Sequence, residues 1–123
     1  MPPRLRSFVP FLNVQSVPRS IEFYRKFGFE VGNTFDHDGK SETVWAWLET
    51  GEARLMVARA SAPVVASQQG VLFYLYCRDV QAMRAELEQA GVAVGPMEYP
   101  FSRPGGQFRV EDPDGYGVVV TYD

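Results

Sequence analysis

The chain has one cysteine, Cys77, and one histidine, His37. A single thiol excludes a disulfide framework within the chain and points to a reducing cytoplasm. There is no basic excess. Lys and Arg number 12 against 15 Asp and Glu, for a net charge of -3. A nucleic-acid surface needs a basic stripe, so no nucleic-acid partner is expected. No apolar run approaches the ~20 residues of a membrane-spanning helix. The basic start, Arg4 to Arg6, is not followed by a hydrophobic segment, so neither a signal peptide nor a membrane partner is expected. What remains is ordinary globular composition, 46% hydrophobic and 22% charged over 123 residues. That length predicts one domain with its own core.

The pattern along the chain alternates strands with two helices. Phe8 to Val14 reads as a strand. Ser16 caps a helix with Pro18 in its first turn, where the missing N–H costs little. Ile21, Phe23, Tyr24 and Phe27 follow, and Gly28 ends the helix. Phe29–Phe35, Thr43–Glu49 and Ala53–Arg59 read as strands, separated by turns at Asp36–Lys40 and Thr50–Glu52. Residues 60–69 form a linker. Val71–Cys77 is again a strand, and Asp79 caps a second helix that ends at Gly91, with Arg84, Glu86 and Glu88 on a solvated face. A short strand near Val92–Val94, a Pro/Gly-rich stretch, a strand at Gln107–Glu111, a turn at Asp112–Gly115 and a strand at Val118–Tyr122 complete the chain.

This order is one unit written twice. A shift of 63 residues takes Gly28 to Gly91, Leu12 to Leu75, Phe11 to Tyr74 and Val17 to Val80. It also takes the turn at Gly51 to the turn at Asp114. Matches at one offset, in matching structural contexts, mark an internal repeat. The expected fold is α+β: two tandem βαβββ modules, about residues 7–59 and 70–123, forming a cupped mixed sheet with the helices on its outer face.

Two segments carry a family likeness. The opening, Val9-Pro10-Phe11-Leu12-Asn13-Val14-Gln15-Ser16-Val17 with Ser20-Ile21-Glu22-Phe23-Tyr24-Arg25 and Gly28-Phe29, resembles that of the vicinal oxygen chelate superfamily. That superfamily includes glyoxalases, bleomycin-resistance proteins and extradiol dioxygenases. Glu111-Asp112-Pro113-Asp114-Gly115-Tyr116 resembles its closing turn. Pro10 inside the first strand is most similar to the bleomycin-resistance-like branch. The resemblance implies a homodimer. It also implies four metal-ligand positions in the metal-using members, which fall here on Val9, Met56, Leu72 and Val119. All four are apolar, and only the Met thioether can ligate, softly. No metal and no other cofactor is therefore expected. The branch also implies a stacking Trp before a Gly ahead of the last strand. Pro104-Gly105 stands there instead, which disfavours bleomycin itself as the ligand.

Strand alternation then sorts the faces. Val9, Phe11, Asn13, Arg54, Met56, Ala58, Leu72, Tyr74, Tyr76, Val119 and Thr121 point into the cup. Pro10, Leu12, Val14, Leu55, Val57, Phe73, Leu75, Cys77, Val118 and Val120 point to the helices. Trp45 and Trp47 join the cup, with Gln107, Arg109 and Glu111. The expected ligand-binding set is Phe11, Trp45, Trp47, Arg54, Tyr74, Tyr76 and Arg109, suited to a flat aromatic or cationic small molecule. Strand aromatics serve equally as core or dimer interface, and that alternative stands beside the first. No catalytic residue is assigned; His37, in a turn, reads as solvated. The expected function is metal-free binding that resembles antibiotic sequestration. The alternatives are a lyase or isomerase of the glyoxalase or dioxygenase kind, and an accessory module whose cup is filled by its own side chains.

Overall fold

The computed structural model describes residues 4–36 and 42–123. The expected turn at Asp36–Lys40, with His37, lies outside the described residues apart from Asp36. The chain divides into two compact units, with the boundary between Val64 and Val65.

In the first unit, Phe11–Val14 forms β1, Val17–Arg25 α1, Glu30–Asp36 β2, Thr43–Thr50 β3 and Ala53–Arg59 β4. The start of α1 follows from its sequence. The Ser16 hydroxyl accepts from the Arg19 N–H at 3.3 Å, and Pro18 occupies the first turn. The end follows too. Gly28 takes φ +97°, and the Phe29 N–H reaches back to the Tyr24 carbonyl at 3.2 Å. Only glycine adopts that backbone conformation without strain. The sheet order is β1-β4-β3-β2, with β1 parallel to β4 and the other pairs antiparallel. Helix α1 lies against β3 and β4. Beneath it are Leu12, Val14, Ala46, Leu48, Leu55 and Val57, all buried. Tyr24 meets Phe23 and Phe29 edge-on, with ring centres 5.0 and 5.8 Å apart, and closes that core.

In the second unit, Leu72–Cys77 forms β5, Val80–Gln89 α2, Phe108–Glu111 β6 and Gly117–Tyr122 β7, in a sheet of order β5-β7-β6. A single 3-10 turn, Ala66–Gln68, precedes it. The Asp79 carboxylate caps α2 by accepting from the Ala82 N–H at 3.0 Å, and α2 lies against β7. Phe108, Val110, Val118 and Val120 are buried, together with Val80 and Leu87 of α2.

The repeat is visible in hydrogen bonds as well as in sequence. Phe11 faces Met56 across the parallel β1/β4 pair, and 63 residues later Tyr74 faces Val119 across β5/β7. The helix-ending bond of Phe29 to Tyr24 recurs at the same shift as Val92 N–H to the Leu87 carbonyl.

Three expectations are corrected. The strand expected near Val92–Val94 does not form. Just after it the chain touches β6 through the Gly95 N–H on the Arg109 carbonyl and reaches Gln107 through a lone bridge from Glu98. The Gly95–Arg109 and Glu98–Gln107 contacts are out of register by one residue, three positions apart on one side and two on the other, so no continuous ladder joins them. Val119 and Thr121 are not open to a cup; both are buried. The Thr121 hydroxyl lies under residues 103–106, accepting from Arg103 Nε at 3.2 Å and donating to the Gly106 carbonyl at 3.3 Å. Arg84 is not simply solvated, because its Nε donates to the Gly95 carbonyl at 2.9 Å. Among the described residues, no helix is long and apolar enough to cross a membrane.

Candidate functional site

Each sheet has one face against its helix and one without. In the first unit the helix-free face is ordered by strand register. One row runs Phe11, Met56, Trp47, Asn33 and the next Asn13, Ala58, Trp45, Phe35. Phe11 and Phe35 are more than half exposed, and Trp45, Trp47 and Met56 are half-buried. Ala58, the smallest side chain in either row, stands between Asn13 and Trp45.

The Trp47 indole is held. Its Nε1–H donates to Glu49 Oε1 at 2.7 Å. The same oxygen lies 3.7 Å from Arg54 Nε. Glu49 and Arg54 are cross-strand partners in the β3/β4 register, which is why they meet. The Arg54 Nη1 donates to the Gly51 and Ala53 carbonyls at 2.7 and 2.9 Å. Arg54 therefore braces the β3–β4 turn, and its guanidinium is largely committed there. Beside the same edge Gly32 makes room for the indole: a Cβ at that position would stand 2.8 Å from Trp47 Cδ1 and 3.6 Å from Glu49 Oε1. Gly32 is the extra residue where the β2/β3 register shifts between Val31 and Asn33.

In the second unit Leu72, Tyr74 and Tyr76 stand exposed on β5. Arg103 reaches over the end of this sheet. Its guanidinium sits 4.3 Å from the Tyr122 ring centre and 5.8 Å from that of Tyr76. It also donates to the Tyr122 backbone carbonyl. The cation–π place on Tyr76 is thus supplied from within the unit. Arg109 is opposite Val119 in the β6/β7 register. It also lines a groove of about 530 Å³ along β6, together with Gly95, Pro96, Glu98 and Glu111. That volume is within the range of small-molecule sites.

The structure thus brings Phe11, Trp45, Trp47 and Arg54 together on one face of the first sheet. It places Tyr74, Tyr76 and Arg109 on the second. Sequence reasoning missed Phe35, Glu49, Gly32 and Arg103. Two of these had a signal. Glu49 is two residues after Trp47 on one strand, hence on its face, and Phe35 ends a strand next to an aromatic one. Arg103 lies in an irregular stretch and had none.

The four positions that the family resemblance marks for metal do not fit one. Val9, Leu72 and Val119 offer no donor atom, and Met56 offers a thioether that suits copper(I) rather than zinc, manganese or iron. Among the described residues, no group of three or more His, Cys, Asp or Glu converges as a metal site.

Solved structures of the same fold are numerous. A bleomycin-binding protein crystallised with bleomycin superposes with a TM-score of 0.76 at 16% identity, over 97% of this chain and 99% of that one. The bleomycin-binding protein of Streptomyces verticillus, solved with copper(II)-bleomycin, gives 0.72 at 22% identity, over 98% of each chain. A lactoylglutathione lyase from Agrobacterium tumefaciens gives 0.71 at 20% identity, over 99% of this chain and 96% of that one. At these identities the likeness is one of fold, and it spans binders and an enzyme alike. No curated protein matches the sequence significantly. One family model covers residues 5–120. The chain belongs to the Glyoxalase/Bleomycin resistance protein/Dioxygenase superfamily.

Proposed function

We propose that this protein binds a small, flat aromatic compound without a metal, in the manner of the antibiotic-sequestering members of its superfamily. The observation that carries the reading is the helix-free face of the first sheet. There Phe11, Trp45, Trp47 and Phe35 present four ring systems around Met56 and Ala58, and the two Phe rings are 53% and 59% exposed. Exposing that much aromatic surface is costly unless something covers it. Each stacking contact contributes ~0.5–1.5 kcal/mol beyond area burial, so two or three such contacts suffice for micromolar binding when added to the buried area. On the second sheet, Tyr74 and Arg109 offer a ring and a cation, whereas Tyr76 already carries Arg103. The apolar residues at the metal positions support binding without catalysis through a cation. The reading includes a homodimer, from family resemblance, and a cytoplasmic setting, from the single thiol.

Titration of the protein with a panel of planar aromatic compounds, followed by Trp fluorescence, tests this. Quenching with saturation is expected, with affinity reduced roughly tenfold in Trp47→Ala. Saturable quenching that survives unchanged in Trp47→Ala and Phe11→Ala overturns the assignment of this face. A stoichiometric, tightly held metal in the purified protein overturns the metal-free reading and favours the lyase alternative.

A further inference from the structure

The Trp47 indole is fixed before any guest arrives. A surface Trp on a strand ordinarily samples several rotamers. Here the Nε1–H edge of the ring is tied by the 2.7 Å bond to Glu49, and the adjoining Cδ1 fits against backbone left bare by Gly32. Glu49 is in turn held beside Arg54. A pre-set plane loses less entropy on stacking than a mobile one.

The carboxylate that ties the indole is not used up. Its Oε1 receives both Trp47 and Arg54, while Oε2 has no hydrogen-bond or ion-pair partner among the described residues. The Glu49 side chain is 46% exposed. A carboxylate accepts at about four lone-pair positions, so acceptor capacity remains at the N–H edge of the ring. A guest lying on the indole and extending past that edge meets a negative acceptor.

Resting on the reading of this face as a binding surface, we infer that Glu49 and Gly32 position Trp47 as a fixed stacking plane. We infer also that Glu49 selects, among flat guests, those bearing an N–H donor or positive charge at the ring's rim. The guest class is an aminated or cationic fused heteroaromatic. Glu49 is a positioning residue for Trp47 and a direct acceptor for the guest.

The test compares two dyes of the same ring system by calorimetry at mildly alkaline pH: proflavine, a cationic diamino-acridine, and acridine, uncharged under those conditions. Wild type is expected to prefer proflavine by roughly fivefold, the upper range for an exposed charge pair. In Glu49→Gln the amide oxygen still accepts from the indole but the charge is gone, so the preference disappears while acridine binding holds. Ligand-free near-ultraviolet circular dichroism, read on the Trp45→Phe background, reports the ring itself. The Trp47 signal is expected to persist in Glu49→Gln and to collapse in Glu49→Ala and Gly32→Ala. Equal binding of the two dyes, or a preference that survives Glu49→Gln, overturns the selectivity and leaves the binding reading standing. A Trp47 signal unchanged in Glu49→Ala overturns the positioning role. Failure of both dyes to bind wild type overturns this inference together with the reading beneath it.

Discussion

Gly117 and Arg109 share one space. A Cβ on Gly117 would stand 2.9 Å from Arg109 Nη2 and 2.5 Å from Leu72 Cδ2. Gly117 opens β7 between Leu72 of β5 and Glu111 of β6, so a bare backbone in mid-sheet is what lets the guanidinium lie across it. Gly117→Ala should therefore push both side chains aside and cost about 1–3 kcal/mol, as overpacking does. Glycine's absence from the unfolded chain returns less than that. Arg109→Ala removes one of the two clashing neighbours, so the double variant should lose less than the two single losses combined. Chemical denaturation of the four proteins in a double-mutant cycle measures the coupling, expected at 0.5 kcal/mol or more. Strict additivity would show that the two residues do not meet.

Asp112 builds the turn that joins β6 to β7. Its Oδ1 accepts from the Asp114 and Tyr116 N–H groups, each at 2.9 Å, and the residue is buried. Removing the acceptor strands two donors, and each unsatisfied buried group costs about 1–3 kcal/mol. Asp112→Ala is expected to lower stability by at least about 2 kcal/mol in urea unfolding. Asp112→Asn keeps an oxygen at the same place and should recover much of the loss. A surface-like effect of Asp112→Ala, under about 0.5 kcal/mol, would remove this turn from the stabilising contacts.

Cys77 is half-buried at the end of β5. Burial pushes its thiol above the ordinary value of 9.0; a backbone hydrogen bond from Asp79 opposes this, and the charges of Asp79 and Asp123 add to it. The thiol is thus favoured neutral in the folded chain. Its contribution to stability is complete below pH 9 and is lost as pH rises from there through the folded value, because the unfolded chain ionises first. Two outcomes are expected. Alkylation of the native protein at neutral pH should run slower than that of an unstructured cysteine peptide. Cys77→Ala should flatten the decline of stability on the alkaline side. Native alkylation at or above the peptide rate would contradict a suppressed thiolate.

How far these features were legible depends on the periodicity each one carries. Alternation along Thr43–Thr50 separated Ala46 and Leu48, which pack under α1, from Trp45 and Trp47, which do not. It did so because a half-covered antiparallel strand has a strict period of two. The same rule put Thr121 on the open side, and its direction was right: it shares a face with Tyr76 in the β5/β7 register. Its exposure was wrong, because residues 103–106 fold over it, and a loop's path has no period to read. The Val92–Val94 strand failed for a different reason. The repeat called for a strand there, but just beyond it the chain meets β6 from Gly95 and Gln107 from Glu98, and a one-residue slip in register between those contacts breaks the ladder. The Trp47–Glu49 tie was legible in principle from spacing and cross-strand register. The seat at Gly32 was not, since the register shift that creates it appears only once β2 and β3 are paired.

Arg103 shows what a single side chain outside any regular element can hold. It binds Thr121 Oγ1, donates to the Tyr122 carbonyl and lies over two Tyr rings. Close by, the Tyr122 hydroxyl accepts from the Gly105 N–H at 3.0 Å, and the ring approaches so closely that a Cβ on Gly105 would stand 2.6 Å from it. A planar, forked donor satisfies this set and a compact ammonium does not, so Lys is no substitute for Arg. Arg103→Lys should cost about 1–2 kcal/mol, and Arg103→Ala somewhat more, through lost cation–π and hydrogen bonds. Loss of the strap should also speed amide exchange at Gly105 and Gly106 well before it affects the β5–β7 ladder. Native-state hydrogen exchange of the two variants resolves this residue by residue. Exchange that rises uniformly across β5, β6 and β7 would mean that Arg103 supports the whole sheet rather than its covering loop.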